Sequence, residues 1–165
     1  MEREETLISD NEGNHLLVAL DFYDEDYKFA VLNIPSEFAD IEIADISIEK
    51  DILDKPIGYK AFADMCGWLA TRFANHRNVI ITFMCSIDEL VTNHTTVSPQ
   101  KYRWDLFDLL YKRTVSQKII ANVNIQDVII GPKGFQTYGQ AFYRDIHAPI
   151  VHLIVAHLTS KYSDD

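Results

Sequence analysis

The sequence predicts a single α+β domain with a mostly antiparallel sheet of roughly five to seven strands and about three helices, in the order βββαβαββ(β)α. Strand-like segments cluster before and after two helical segments, a distribution that favours this class over a regular βαβ alternation. A chain of 165 residues with 47% apolar and 24% charged residues is ordinary for one globular domain. We place the domain at residues 14–162, after a flexible N-terminus of residues 1–13 that ends in a turn-like polar stretch.

Three strand-like segments open the domain. Residues 16–23 and 27–34 are rich in strand formers, and Asp24, Glu25 and Asp26 between them fit a hairpin turn. Residues 41–48 then alternate apolar and polar side chains, which predicts a half-buried antiparallel strand.

The centre of the chain predicts a helix, a buried strand and a second helix. After Pro56 the apolar residues follow a helical period and define one core-facing side: Phe62, Met65, Cys66, Leu69 and Phe73. Residues 79–85 form a continuous apolar segment, typical of a strand covered on both faces. Ser98 and Pro99 then have the sequence of a helix start, and this second helix is expected to end near Arg113.

The C-terminal part predicts a hairpin and a last helix. Residues 118–130 are strand-like, Gly131 to Gly134 would turn the chain, and residues 135–143 would return despite Gly139. Residues 147–162 carry apolar side chains at helical spacing, with Pro149 tolerated in the first turn.

The net charge of −10 is concentrated in the first part of the chain. Residues 1–60 hold 16 acidic and 5 basic side chains, whereas residues 61–165 hold 9 acidic and 10 basic ones. Such a field repels nucleic acid and anionic membranes and attracts a basic protein. We therefore predict a partner-binding surface at Asp24, Glu25 and Asp26.

The sequence lacks the features that mark several classes of protein. The N-terminal residues do not form a signal peptide, no apolar segment is long enough for a membrane helix, and the two cysteines do not suggest a disulfide scaffold. We expect a cytoplasmic protein. The six histidines include no His-x-x-x-His pair, and Cys66 and Cys85 lack neighbouring ligands, so we expect no metal and no cofactor.

A second possible site follows the buried strand. Asp88 comes soon after Cys85, and Arg103 lies near the start of the next predicted helix, so a carboxylate and a cation could converge there. This would make residues 86–99 a binding loop, which leaves a small-ligand sensor as one alternative.

An enzymatic alternative depends on two histidines. His94 and His157 each begin a His-x-Thr sequence, and the pair resembles the motifs of two-histidine phosphoesterases. The resemblance implies a phosphodiesterase or nuclease-like enzyme in which one imidazole is the base and the other the acid.

An apolar strand ends in Cys85 and Ser86, Asp88 follows it, and a predicted helix carries Arg103 and Phe107. Through these features residues 54–162 show a resemblance to a family of short, uncharacterised bacterial proteins with a domain of unknown function. It implies a single α+β domain and supplies no reaction. Together with the charge, it favours a non-catalytic protein-binding module, an accessory or inhibitor subunit of the immunity or antitoxin kind, and a homo-oligomer is compatible with it.

Overall fold

A computed structural model describes residues 2–9, 13, 15–50, 59–85, 123–131 and 137–162 of the chain. The strands are β1 (Arg3–Ser9), β2 (His15–Phe22), β3 (Glu42–Lys50), β4 (Val79–Cys85), β5 (Val123–Ile130) and β6 (Thr137–Arg144). The α-helices are α1 (Tyr59–Asn75) and α2 (Val151–Tyr162). Short helical segments cover Tyr27–Val31, a π-helix, and Ser36–Phe38 and Asp145–His147, both 3₁₀.

The described strands form one six-stranded sheet in the order β1-β2-β3-β4-β6-β5. Four neighbouring pairs are antiparallel and only β3 and β4 are parallel. A parallel pair requires a connection that crosses from one end of the sheet to the other, and α1 lies in that connection. The predicted α+β class, the strand count and the mostly antiparallel pairing are confirmed.

The sheet is covered on both faces by apolar side chains. Met65, Leu69 and Phe73 of α1 pack with alternate residues of β2 and β4 on one face. Ile150 and Ile154, from the turn before α2 and from α2 itself, pack with Ile80 and Met84 of β4 on the other face. Successive residues of β4 therefore belong to opposite layers, as their continuous apolar sequence predicts.

The predicted helix after Pro56 and the predicted strand at residues 79–85 are both present. Met65, Cys66, Leu69 and Phe73 are buried along α1, as their helical spacing requires. Burial raises the pKa of the Cys66 thiol to about 12, so this cysteine is an inert core residue at neutral pH.

The N-terminal elements differ from the sequence prediction at two places. Residues 3–9, assigned above to a flexible N-terminus, form the edge strand β1. Residues 27–31, predicted to belong to a strand, form the π-helix, where Phe29 and Val31 are exposed. A strand would have placed these two apolar side chains in the core, but here the buried positions are Leu32 and Ile34, beyond the π-helix.

β3 is buried in a different way from the predicted one-sided strand. Ile43 lies in the layer of α2, whereas Ala44 lies in the layer of α1, with Ile46 and Ile48 packed against the same layer. The apolar positions change face at Asp45, because residues separated by an odd number point to opposite sides of a sheet. β3 therefore lies inside the sheet, between β2 and β4.

The C-terminal strands pair antiparallel as β5 and β6, within the predicted segments. The last helix ends as predicted but begins later, at Val151, because residues 145–147 form a 3₁₀ turn and Pro149 lies before α2 instead of in its first turn. The remaining residues of the predicted strands, 118–122 and 135–136, lie outside the described residues. The predicted helix at residues 99–113 and the turn residues 132–134 lie outside the described residues.

Candidate functional site

An acidic cleft lies at the end of the sheet where β2 ends and β3 begins. β2 runs antiparallel to both β1 and β3. The start of β1, the end of β2 and the start of β3 therefore meet at this end of the sheet. The cleft encloses about 340 Å³, a volume near the lower end for ligand pockets. Its lining residues come from all three strand ends and the segment after β2: Glu2, Phe22, Tyr23, Asp24, Glu25, Lys28 and Glu42.

Hydrogen bonds fix the main chain of the residues that line the cleft at the strand ends. The Phe22 amide donates to the Glu2 carbonyl at 2.9 Å, and the Tyr23 amide donates to the Ile43 carbonyl at 2.8 Å. The Asp24 carboxylate then accepts a hydrogen bond from the Tyr27 amide at 2.9 Å. This last bond satisfies a free amide at the start of the π-helix, so Asp24 helps to turn the chain out of the sheet.

Lys28 is the buried cation at the base of the cleft. Its side chain is only 5% exposed, and its Nζ donates to the Ile41 carbonyl at 2.7 Å. The same Nζ lies 2.7 Å from Oε1 of Glu25, whose side chain is 70% exposed. Since a buried ammonium is costly unless it is paired, Glu25 has a structural role in addition to its place in the lining.

The cleft is negatively charged at neutral pH. Four carboxylates and one ammonium line it, and the ammonium is already paired with Glu25. Phe22 and Tyr23 belong to the same lining, with Phe22 6% exposed and Tyr23 half-buried. Carboxylates beside aromatic rings are the groups that bind a guanidinium or ammonium ion, through charged hydrogen bonds and cation–π contact.

His76 lies behind the cleft and links two of the strands to the end of α1. Its Nδ1 is 3.2 Å from Glu42, its Nε2 is 2.8 Å from Glu4, and its ring centroid is 5.1 Å from that of Phe22. Burial lowers the pKa of His76, but hydrogen bonds and charge from Glu4 and Glu42 outweigh it, so the pKa is raised above its usual value. The ion pairs therefore stabilise the fold below about pH 6.5, and this stabilisation is lost as the pH rises through the raised pKa.

Arg144 and His147 fasten the same end of α1 to β6. Arg144 donates to the carbonyl of Phe73 at 2.6 Å and to that of His76 at 3.0 Å, which satisfies free carbonyls at the helix end. The Arg144 amide donates to Nδ1 of His147, and Nε2 of His147 lies 2.8 Å from Oδ1 of Asn78. The end of α1 is thus held to β6 by side chains that are far apart in the sequence.

A second polar cluster lies under the π-helix on the face of α2. Tyr23 donates to Asp45 at 2.7 Å, and Asp45 also accepts a hydrogen bond from Thr82. The Tyr27 hydroxyl is 2.8 Å from Nε2 of His157 on α2. Burial lowers the pKa of His157, with Lys161 adding to the effect and Asp45 opposing it.

The structure describes three of the five predicted binding residues. Asp24 and Glu25 line the cleft, and Asp26 is exposed at the start of the π-helix. The predicted turn is therefore a helical one, and not the hairpin between two strands that the sequence suggested. Asp88 and Arg103 lie outside the described residues, as does the whole predicted binding loop of residues 86–99.

Of the two histidines in the enzymatic alternative, His94 lies outside the described residues. His157 is half-buried, and its Nε2 is engaged by the Tyr27 hydroxyl. This contact joins α2 to the π-helix, which gives His157 a packing role.

Sequence reasoning missed Glu2, Lys28 and Glu42 as lining residues. Glu2 was assigned to a flexible segment and Glu42 to the solvent side of a strand, and Lys28 was not considered. A signal for Lys28 was present, since it is the only lysine or arginine between Arg3 and Lys50 in a strongly acidic region. Its burial becomes evident only with the fold.

Two further properties concern the described residues alone. None of their histidine, cysteine and carboxylate side chains gather in a group of three or more suited to a metal ion. None of the helices in these parts of the chain is both long and apolar enough to cross a membrane.

No protein-family model matches the chain, and no curated protein sequence matches it significantly.

Proposed function

We propose that this protein is a protein-binding module that receives a basic side chain of its partner, above all an arginine, in the acidic cleft. The observation that supports the proposal is the joint lining of the cleft by four carboxylates and by Phe22 and Tyr23. The cation already present, Lys28, is buried and paired with Glu25, so it does not neutralise the remaining carboxylates.

Arginine suits this lining better than lysine. Its guanidinium is planar, carries five donors and stacks on aromatic faces, whereas an ammonium is compact and strongly hydrated. Glu2 and Asp24 could accept hydrogen bonds from the guanidinium while its plane contacts an aromatic ring of the lining. The cleft volume of about 340 Å³ suits a side chain more than a folded segment.

The charge of the surrounding chain extends this preference to a whole protein partner. The excess of 16 acidic over 5 basic residues in residues 1–60 produces a field that attracts a basic surface over a distance of about one Debye length, ~10 Å at 0.1 M salt. Such a field raises the association rate, and the cleft then fixes the orientation of the complex. The combination of a long-range acidic field and a specific cleft suits an accessory or inhibitor subunit that covers a basic surface of its partner.

A matched pair of charge reversals tests the proposal. Glu2→Lys changes a cleft residue, and the hydrogen bond from Phe22 uses the Glu2 main-chain oxygen, which the substitution keeps. Glu37→Lys makes the same charge change at an exposed 3₁₀ residue that does not line the cleft.

We expect affinity capture from the native host, read by mass spectrometry, to recover a basic partner with the unsubstituted protein and with Glu37→Lys. Glu2→Lys should reduce recovery at least about tenfold, which corresponds to about 1.4 kcal/mol of binding free energy. Equal recovery by both variants would show that net charge alone, and not the cleft, attracts the partner.

A further inference from the structure

β1 is an edge strand whose outward backbone groups can be identified from its pairing. The Phe22 amide bonds to the Glu2 carbonyl, and Arg3 lies opposite Asp21 in the antiparallel register. Directly opposed residues alternate between hydrogen-bonded and non-hydrogen-bonded pairs along such a ladder. Amides and carbonyls of even-numbered residues therefore face β2, and those of the odd-numbered ones face away from it: Arg3, Glu5, Leu7 and Ser9.

This outer edge is long and carries an exposed apolar side chain. β1 spans seven residues, and in the described sheet it pairs with β2 alone. Leu7 is 63% exposed, among the most exposed large apolar side chains of the described residues. Free edges of this kind accept an added strand from another chain unless charge or shape prevents it.

We infer that the partner docks by adding an extended basic segment to β1 as a seventh strand, an inference that rests on the proposed function and specifies its binding mode. Glu2 and Glu5 lie just before and within the first part of β1, beside Arg3, which pairs with Asp21 and Glu5, whereas Leu7 lies toward the end of the strand. Glu4 is already paired with His76 and Arg72. A complementary segment has basic residues near Glu2 and Glu5 and apolar ones opposite Leu7. Since Glu2 also lines the cleft, the basic end of such a segment reaches the cleft directly.

Charge argues against a second copy of this chain as the occupant. Two β1 strands paired antiparallel along their full length would place Glu4 and Glu5 of each copy opposite Ile8 and Leu7 of the other, so the carboxylates would gain no cationic partner. The net charge of −10 adds long-range repulsion between copies. A basic strand is instead attracted to the acidic part of the chain at long range.

The test uses an acetylated and amidated peptide, Val-Thr-Val-Arg-Lys-Lys, as the probe. In the free protein we expect rapid hydrogen exchange at the amides of Arg3, Glu5 and Leu7, and slower exchange at Glu4 and Thr6. The peptide should slow exchange at the amides of Arg3, Glu5 and Leu7 at least about tenfold. A version N-methylated at alternate residues, with the same charge, should give no such protection because it lacks the donors for strand pairing.

Leu7→Pro provides the matched test on the protein. Proline is tolerated in an edge strand where the lost amide faces outward, so the bonds to β2 are kept. We expect this variant to bind the peptide at least tenfold more weakly, whereas Leu7→Ala keeps the amide and loses less affinity. Equal peptide affinity of Leu7→Pro and Leu7→Ala would overturn strand addition, and the N-methylated peptide gives the same information if Leu7→Pro does not fold.

The outcomes separate this inference from the proposed function. Peptide-induced shifts at Phe22 and Tyr23 without protection of β1 would overturn strand addition and leave the cleft as the binding site. Protection of β1 that persists in Glu2→Lys would support strand addition and count against the cleft. Outward amides already protected in the free protein would overturn the inference, and a dimer in sedimentation would identify a second copy as the occupant.

Discussion

Gly139→Ala should destabilise the protein strongly, by about 2 to 3 kcal/mol. A Cβ at this position of β6 would lie 2.5 Å from the main-chain oxygen of Phe83 and would also collide with the side chain of Met84. Met84 can change its rotamer, but the Phe83 oxygen belongs to β4, which pairs with β6 across the centre of the sheet. Relieving the collision therefore requires the two strands to separate locally.

Gly67→Ala is the matched control for this substitution. Gly67 lies on α1, is exposed, and has no atom within 4 Å of a Cβ built on it. Alanine within a helix is favoured over glycine by about 0.5 to 1 kcal/mol, so this variant should be more stable than the parent. Urea unfolding of both variants measures the difference, and equal free energies of unfolding would contradict the close contact of β4 and β6.

His147 should make the protein sensitive to acid. Burial, with a contribution from the charge of Arg144, lowers the pKa of His147 to about 4. Its Nδ1 accepts a hydrogen bond from the Arg144 amide and must be unprotonated to do so. In the unfolded chain the imidazole binds a proton near pH 6.5, so the unfolded state takes up a proton that the folded state excludes.

The free energy of unfolding should therefore fall as the pH drops from about 6.5 to 4, by at most about 3 kcal/mol from this residue, and the His147 contribution should level off below pH 4. His147→Gln removes the titrating group, and the difference between its stability curve and that of the parent isolates the effect. An NMR titration of His147 should give a midpoint near 4. A midpoint near 6.5 would contradict the buried, neutral imidazole.

The elements predicted correctly from the sequence are those whose burial follows a local period. α1 carries its apolar side chains at helical spacing, and β4 is apolar throughout because it lies between two layers. In both cases the pattern reflects contacts made along the whole element, so a window of neighbouring residues contains enough information.

β1 and the π-helix did not follow such a pattern. β1 is an edge strand with its odd-numbered side chains exposed, so Arg3 and Glu5 resemble a frayed terminus. In the π-helix, Phe29 and Val31 have strand-forming side chains, but the hydrogen bond that the Tyr27 amide donates to the Asp24 carboxylate favours a turn of helix. Pairing with β2 determines the structure of β1, and local capping determines that of the π-helix.

The candidate site was partly predictable for a related reason. Asp24 and Glu25 were found because charge density is a property of consecutive residues. Glu2 and Glu42 join them only through the register of three strands, and His76 reaches Glu4 across 72 positions of the chain. No pattern of neighbouring residues encodes contacts over such sequence separations. The cleft can therefore be identified only from the folded structure.

The most direct test of the acidic cleft is an NMR titration of the protein with a tetra-arginine peptide at low salt. The account predicts that the largest amide shifts cluster at Phe22, Tyr23, Asp24, Glu25 and Glu42, that they weaken at high salt, and that Glu37→Lys leaves them in place. Shifts spread evenly over all acidic surface residues, Glu37 and Asp40 included, would contradict a specific cation-binding cleft.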